Sequence, residues 1–121
     1  MKRITLSCIV ILSLLSAFLV VYSYHPEVDL EVMKKKYQYS NSKYANVNGL
    51  WVHYYEKGAG DPLLLLHGNG GNIHHFDEII EALSQHFKVI SLDYLGHGLT
   101  GADPALNYSN QNMLAFLEGF F

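Results

Sequence analysis

Cysteine is almost missing from this chain: 121 residues contain one, Cys8. A lone thiol excludes an internal disulfide framework, and its place inside an apolar run makes it a small hydrophobe rather than a redox or nucleophilic centre. Charge is scarce as well. Charged residues make up 16% of the chain and the formal net charge is -3, which excludes a disordered polyanion and a basic nucleic-acid binder. A small, neutral ligand or substrate suits such a chain better than a charged polymer. Metal-site spacing is lacking too. His67, His74 and His75 are the closest of seven histidines, but adjacent helical residues point about 100° apart, and no cysteine or carboxylate completes a ligand pattern. Gly96 and Gly98 lack the third glycine and the helix start of a dinucleotide loop, so neither a nucleotide cofactor nor any other is expected.

What the chain does have is apolar surface, with half of its residues hydrophobic. Lys2 and Arg3 lead into a run from Ile4 to Tyr22 that carries no charge before Glu27. Export signals and membrane anchors both begin this way, so residues 1–24 are expected to be one or the other and the remainder to lie outside the free cytoplasm. The run is close to the roughly 20 residues that cross a bilayer, while Val21-Tyr22-Ser23 also suits a cleavage site. Residues 25–43 have mixed charge and little periodicity beyond Leu30, Met33 and Tyr37. They read as a linker holding about one helical turn, with Lys34, Lys35 and Lys36 on a solvated face.

From residue 44 the texture becomes that of a folded domain. Residues 44–47 and 50–56 are β-prone runs joined by Asn48-Gly49, the pair that most readily takes the two positive φ angles of a tight hairpin turn. Gly58 to Pro62 break the pattern before four leucines, Leu63 to Leu66. Four leucines without alternation predict a strand covered on both faces, central in a mostly parallel sheet. Phe76, Ile79, Ile80 and Leu83 recur at helical spacing after Asn72, a suitable N-cap, and predict a helix ending near His86. Residues 88–92 form another β-branched run. A Gly-, Pro- and Asp-rich loop follows, and Ser109 caps a segment with Met113, Phe116, Leu117 and Phe120 in helical register. The order hairpin, strand, helix, strand, loop, helix is the opening of an α/β sheet with right-handed crossovers.

Two glycine-rich loops fall at the carboxyl ends of strands expected to run parallel, where open α/β sheets carry their chemistry. His67-Gly68-Asn69-Gly70-Gly71 follows the leucine strand, and Asp93-Tyr94-Leu95-Gly96-His97-Gly98-Leu99-Thr100 follows the next. Backbone N–H groups near Asn69 and Gly70 could hold a negative oxygen there.

Together, "VNGLWVHYYEKGAGDPLLLLHGNGG" and "VISLDYLGHGLTG" resemble the N-terminal part of the α/β-hydrolase fold family, in its serine-esterase, haloalkane-dehalogenase-like and carbon–carbon-bond hydrolase branch. The resemblance covers residues 44–121. It implies that the Asn69 N–H contributes to an oxyanion hole, that His67, Gly68 and Gly70 shape that loop, and that Asp93, Gly96 and Gly98 form the turn of the second, with His97 near the substrate entrance. Leu95 stands where relatives often carry proline, which implies a less rigid turn. Asn69 could instead hold a leaving halide with its side chain, as in dehalogenase-like relatives, though any small polar residue serves in this loop.

The family's catalysis needs a nucleophile elbow, G-x-S-x-G or an Asp counterpart, followed by an acid and a histidine. No serine here has the flanking glycines. Gly101-Ala102-Asp103-Pro104-Ala105 fits an Asp elbow on paper but has no strand before it. Residues 44–121 are therefore expected to be an incomplete hydrolase domain, inactive alone, with either Ser or Asp as nucleophile in a longer parent. A non-catalytic, membrane-tethered binding module and one half of a split hydrolase are the alternatives. The leucine strand is further expected to pair with residues 88–92 and to leave its other edge open, an aggregation hazard.

Overall fold

A computed structural model describes the backbone of residues 2–24 and 28–121 and the side chains of all of these from residue 9 onward. Cys8 and the positive Lys2-Arg3 end therefore lie outside the described side chains. The elements run α1 (Lys2–Ser23), α2 (Leu30–Tyr37), β1 (Lys43–Val47), β2 (Leu50–Lys57), β3 (Pro62–Leu66), a 3-10 turn (Ile73–Phe76), α3 (Asp77–Leu83), β4 (Lys88–Leu92) and α4 (Asn110–Phe120). The four strands form one sheet in the order β1-β2-β4-β3.

The hairpin turns where the sequence places it. Asn48 and Gly49 have φ of 52° and 89°, Val47 pairs with Leu50, and the Asn46 Oδ1 accepts the Gly49 N–H at 3.1 Å. β2 then pairs antiparallel with β4, and β4 pairs parallel with β3, Leu64 beside Ile90 and Leu66 beside Leu92.

Pleating sends alternate side chains to opposite faces, and each face has its own helix. On one, Val47, Val52, Leu92 and Leu95 bury themselves against Phe116 of α4, with Tyr54, Leu64, Met113, Leu117 and Phe120 packed around them. Covering a side chain such as Leu92 contributes about 1.5–3 kcal/mol each. Ser109 starts α4 as expected, its hydroxyl accepting the Asn112 N–H. The opposite face carries His53, Tyr55, Lys57, Val89 and Ser91, and meets the 3-10 turn and α3. Lys57 pairs there with Glu81, and the Tyr39 ring packs at 4.6 Å on Tyr55 and 4.5 Å on His74.

Three expectations change. The leucine strand is an edge strand of a mixed sheet, not a central one: β3 has β4 as its one neighbour, so Leu63, Leu64 and Leu65 are half-buried and Leu66 is 37% exposed. The edge beyond β3 is open, as expected. The helix after the first loop begins as a 3-10 turn, with the Asn72 Oδ1 accepting the His74 N–H at 3.0 Å, and its α-helical part stops at Leu83 rather than near His86. Backbone bonds from His86 and Phe87 to the Leu83 carbonyl close the chain into a turn there, freeing residue 88 to start β4. Finally, residues 28–43, the described part of the expected linker at 25–43, hold more than one helical turn. Asp29 caps α2 by accepting the Glu31 N–H at 2.7 Å, Lys34 pairs with Glu31, and Lys34 Nζ lies 5.2 Å from the centre of the Tyr44 ring.

α1 is a helix whose apolar side chains from Ile9 to Tyr22 stand largely exposed, Val21 at 75%. Among the described residues, no helix is long and apolar enough to cross a membrane, so the expected span finds no support there.

Candidate functional site

The carboxyl ends of β3 and β4 lie side by side, and the loops that leave them are joined through one imidazole. His67 is buried at 4% exposure. Its Nε2 accepts the backbone N–H of Tyr94 at 3.1 Å, and its Nδ1 donates to the Gly68 carbonyl at 2.8 Å. Those two bonds set a neutral tautomer with the proton on Nδ1, because a backbone N–H can only donate and a carbonyl can only accept. The Tyr94 ring meets His67 edge-on at 4.7 Å, and burial pushes its phenol above the ordinary value.

Asn69 and Gly70 form the exposed tip of the first loop. Gly71 N–H closes the turn onto the Gly68 carbonyl at 3.0 Å, and Gly70 has φ of 72°, where a side chain would be strained. Among the described residues, no group takes the N–H of Asn69 or Gly70. These two donors could meet a developing negative oxygen. Opposite them, His97 donates from Nδ1 to the Leu95 carbonyl at 2.9 Å and places Nε2 3.4 Å from the Asn69 Oδ1. His67 and His97 rings are 5.3 Å apart. The structure thus brings His67, Gly68, Asn69 and Gly70 together with His97.

The second loop is held from beneath by Asp93. Its carboxylate accepts the Ile73 N–H at 2.8 Å, the Leu99 N–H at 2.8 Å and His53 Nδ1 at 2.7 Å, while its carbonyl accepts the Thr100 hydroxyl at 2.9 Å. Gly98, at φ of 53°, lies so close that an added Cβ would stand 2.1 Å from the carboxylate. Gly96 N–H reaches the Gly101 carbonyl at 3.0 Å. Asp93, Gly96 and Gly98 therefore build the turn, and Asp93 and Gly98 also border the cavity beside α2. Leu95, the residue in the proline position, is buried in the α4 core and anchors the turn through its side chain.

Sequence reasoning missed His53, Ser42 and Thr100. His53 is fully buried on β2, with Nε2 2.7 Å from the Ser42 Oγ, and its backbone N–H donates to Thr100 Oγ1 at 2.9 Å. The available signal was an ionisable residue inside a β-run at an inward position. Asp103 has its oxygens committed to the Ala105 N–H and the Asn112 amide, a turn-and-cap role that agrees with rejecting it as an elbow. A cavity of about 300 Å³ opens between α2 and the sheet; its walls include Met33, Tyr37, His74, Asp93 and Gly98, and none of residues 67–70.

The sequence profile described as the alpha/beta hydrolase fold matches residues 61–121, which hold both loops, β3, β4 and α4. The chain belongs to the alpha/beta hydrolase fold family. Among curated relatives, the 2-hydroxy-6-oxo-6-(2'-aminophenyl)hexa-2,4-dienoic acid hydrolase of Metapseudomonas resinovorans is 32% identical over 81 residues, covering 64% of this chain and 28% of that one. The (E)-2-((N-methylformamido)methylene)succinate hydrolase of Acinetobacter baylyi is 41% identical over 71 residues, covering 59% and 24%. Among solved structures, an epoxide hydrolase of Acinetobacter nosocomialis superposes with a TM-score of 0.65 at 25% identity, over 80% of this chain and 36% of that one. The chain spans about a quarter of the length of the two curated relatives.

Proposed function

We propose that this chain carries the N-terminal part of a hydrolase acting on a small, neutral molecule by ester or related bond cleavage. In that role residues 67–70 hold the oxyanion while Asp93 and its turn hold the loop in place. The observation that carries this reading is the His67 bridge: one neutral imidazole fastens the Asn69 loop to the Tyr94 backbone at 3.1 Å and leaves the Asn69 and Gly70 N–H groups uncommitted. The named relatives, a dienoic acid hydrolase and a succinate hydrolase, support its small-molecule part, and neutrality rests on the low charge of this chain. With no G-x-S-x-G in the sequence, the 121 residues supply half of a site and no turnover of their own.

The test is a chimera in which the part of the Metapseudomonas hydrolase beyond its matched region follows Phe121. The chimera is expected to hydrolyse p-nitrophenyl esters, and Asn69→Pro, which deletes one N–H, to lower kcat about 10²- to 10³-fold with KM little changed. A folded, active chimera indifferent to Asn69→Pro would overturn the oxyanion assignment.

The open β3 edge favours a second arrangement, assembly with a separately encoded half that completes the sheet. Co-purification of an elbow-bearing chain would support it. Residues 4–22 are proposed as an export signal or anchor. The charge-free run and the exposed side chains of α1 support that reading, and resistance of the chain to alkaline extraction from membranes would separate anchor from cleaved signal.

A further inference from the structure

A second nucleophile-like constellation lies away from the loop tips. Ser42, just before β1, places Oγ 2.7 Å from His53 Nε2, and His53 places Nδ1 2.7 Å from the Asp93 Oδ2. The three residues are 11 and 40 positions apart in sequence. No local motif announces them.

We propose that the Ser42 hydroxyl is an activated acyl acceptor, taking one acyl group from an ester or thioester with a good leaving group. Its chemistry is set by who can donate. Asp93 is acceptor-only, so His53 Nδ1 carries the proton and Nε2 is left to accept one. The Tyr39 N–H donates to the Ser42 Oγ at 2.9 Å, occupying one lone pair and leaving the hydroxyl proton for the imidazole. Asp93 is held by the Ile73 and Leu99 N–H groups, so the imidazole cannot swing away. His53 and Asp93 are buried, at 0% and 1% exposure, and border the cavity beside α2, while Ser42 is half-buried.

The same geometry limits the reaction to one acylation. Oγ attacks the carbonyl carbon, its proton moves to His53 Nε2, the Oγ–C bond forms and the C–O or C–S bond to the leaving group breaks. The electron pair departs with the leaving group, and the new imidazolium sits beside the Asp93 carboxylate. His53 has no surface open to bulk solvent and its Nε2 faces the Ser42 Oγ, so an acylated Oγ stands where a water or a leaving alkoxide would have to meet the imidazole. Aryl esters and thioesters, whose leaving groups depart as anions, are therefore the fitting donors, and the acyl group stays.

The 121-residue chain is incubated with p-nitrophenyl acetate and mapped by peptide mass spectrometry, with Ser40, exposed in the same turn, as internal reference. Acetylation of Ser42 is expected about 10²-fold or more faster than at Ser40, the range a positioned general base provides. His53→Gln should bring Ser42 down to the Ser40 rate. Equal rates at the two serines, or a Ser42 rate untouched by His53→Gln, would overturn the proposal. Should that variant fail to fold, the ratio of Ser42 to Ser40 acetylation in the unaltered chain decides alone.

Discussion

Asp93 shows how much one side chain can organise. Three donors converge on its carboxylate from β2, the 3-10 turn and its own loop, and hydrogen bonds to a charged acceptor are worth about 1.5–3 kcal/mol each when one partner is lost. Asp93→Ala should lower unfolding stability by about 3–5 kcal/mol, as for a broken buried pair, read from the urea midpoint. Gly98→Ala meets both a positive φ and the carboxylate at 2.1 Å, so a loss of about 2 kcal/mol or more is expected in the same experiment. The sequence marks Asp93 and Gly98 as turn residues of the second loop, but not the bonds that reach Asp93 from Ile73 and His53, and His53 reads as one polar position of a strand. Long-range hydrogen bonds leave no mark on local spacing. Tyr39 adds a pH dependence. Burial foremost, then its hydrogen bond to the Asp77 carboxylate, raises its phenol above the ordinary value. A raised folded-state value gives stability that is present below the ordinary phenol range and lost as pH rises through the folded one. The urea midpoint should therefore fall above about pH 10, and less steeply in Tyr39→Phe.

At the scale of elements, local chemistry was legible wherever it decided the outcome. Asn48-Gly49, the strand at residues 88–92, Asn72 as a cap and Ser109 at the head of α4 all announce themselves, because turns and caps depend on a residue and its near neighbours. Asn72→Ala is expected to cost about 1 kcal/mol by circular dichroism-monitored urea unfolding, the usual worth of an N-cap. The misreadings lie where neighbours in space decide. Four leucines promise two covered faces, but the covering depends on how many strands flank β3. Leu30, Met33 and Tyr37 mark one side of α2, yet a linker and a docked helix of eight residues differ only by partners such as Tyr44 and His74, far along the chain.

For the whole molecule, the balance is between a well-built site floor and an unfinished sheet. Two faces are covered by α3 and α4, while the β3 edge offers unpaired backbone groups and Leu66 to any strand that can reach it. The chain is expected to self-associate, and a lysine at Leu66 to shift its sedimentation toward the monomer. Family membership and the paired loops were readable from sequence because they rest on glycine spacing. Substrate class was not, since the cavity of about 300 Å³ is walled in part by α2 and by none of residues 67–70. The central claim, half a hydrolase site without its nucleophile elbow, is tested most directly by counting nitrophenolate released per chain from p-nitrophenyl acetate over many equivalents of ester. No more than about one release per chain, as expected of a single acyl-serine, is the predicted result. Sustained turnover that disappears with Asn69→Pro would contradict it, showing a complete active site within these 121 residues.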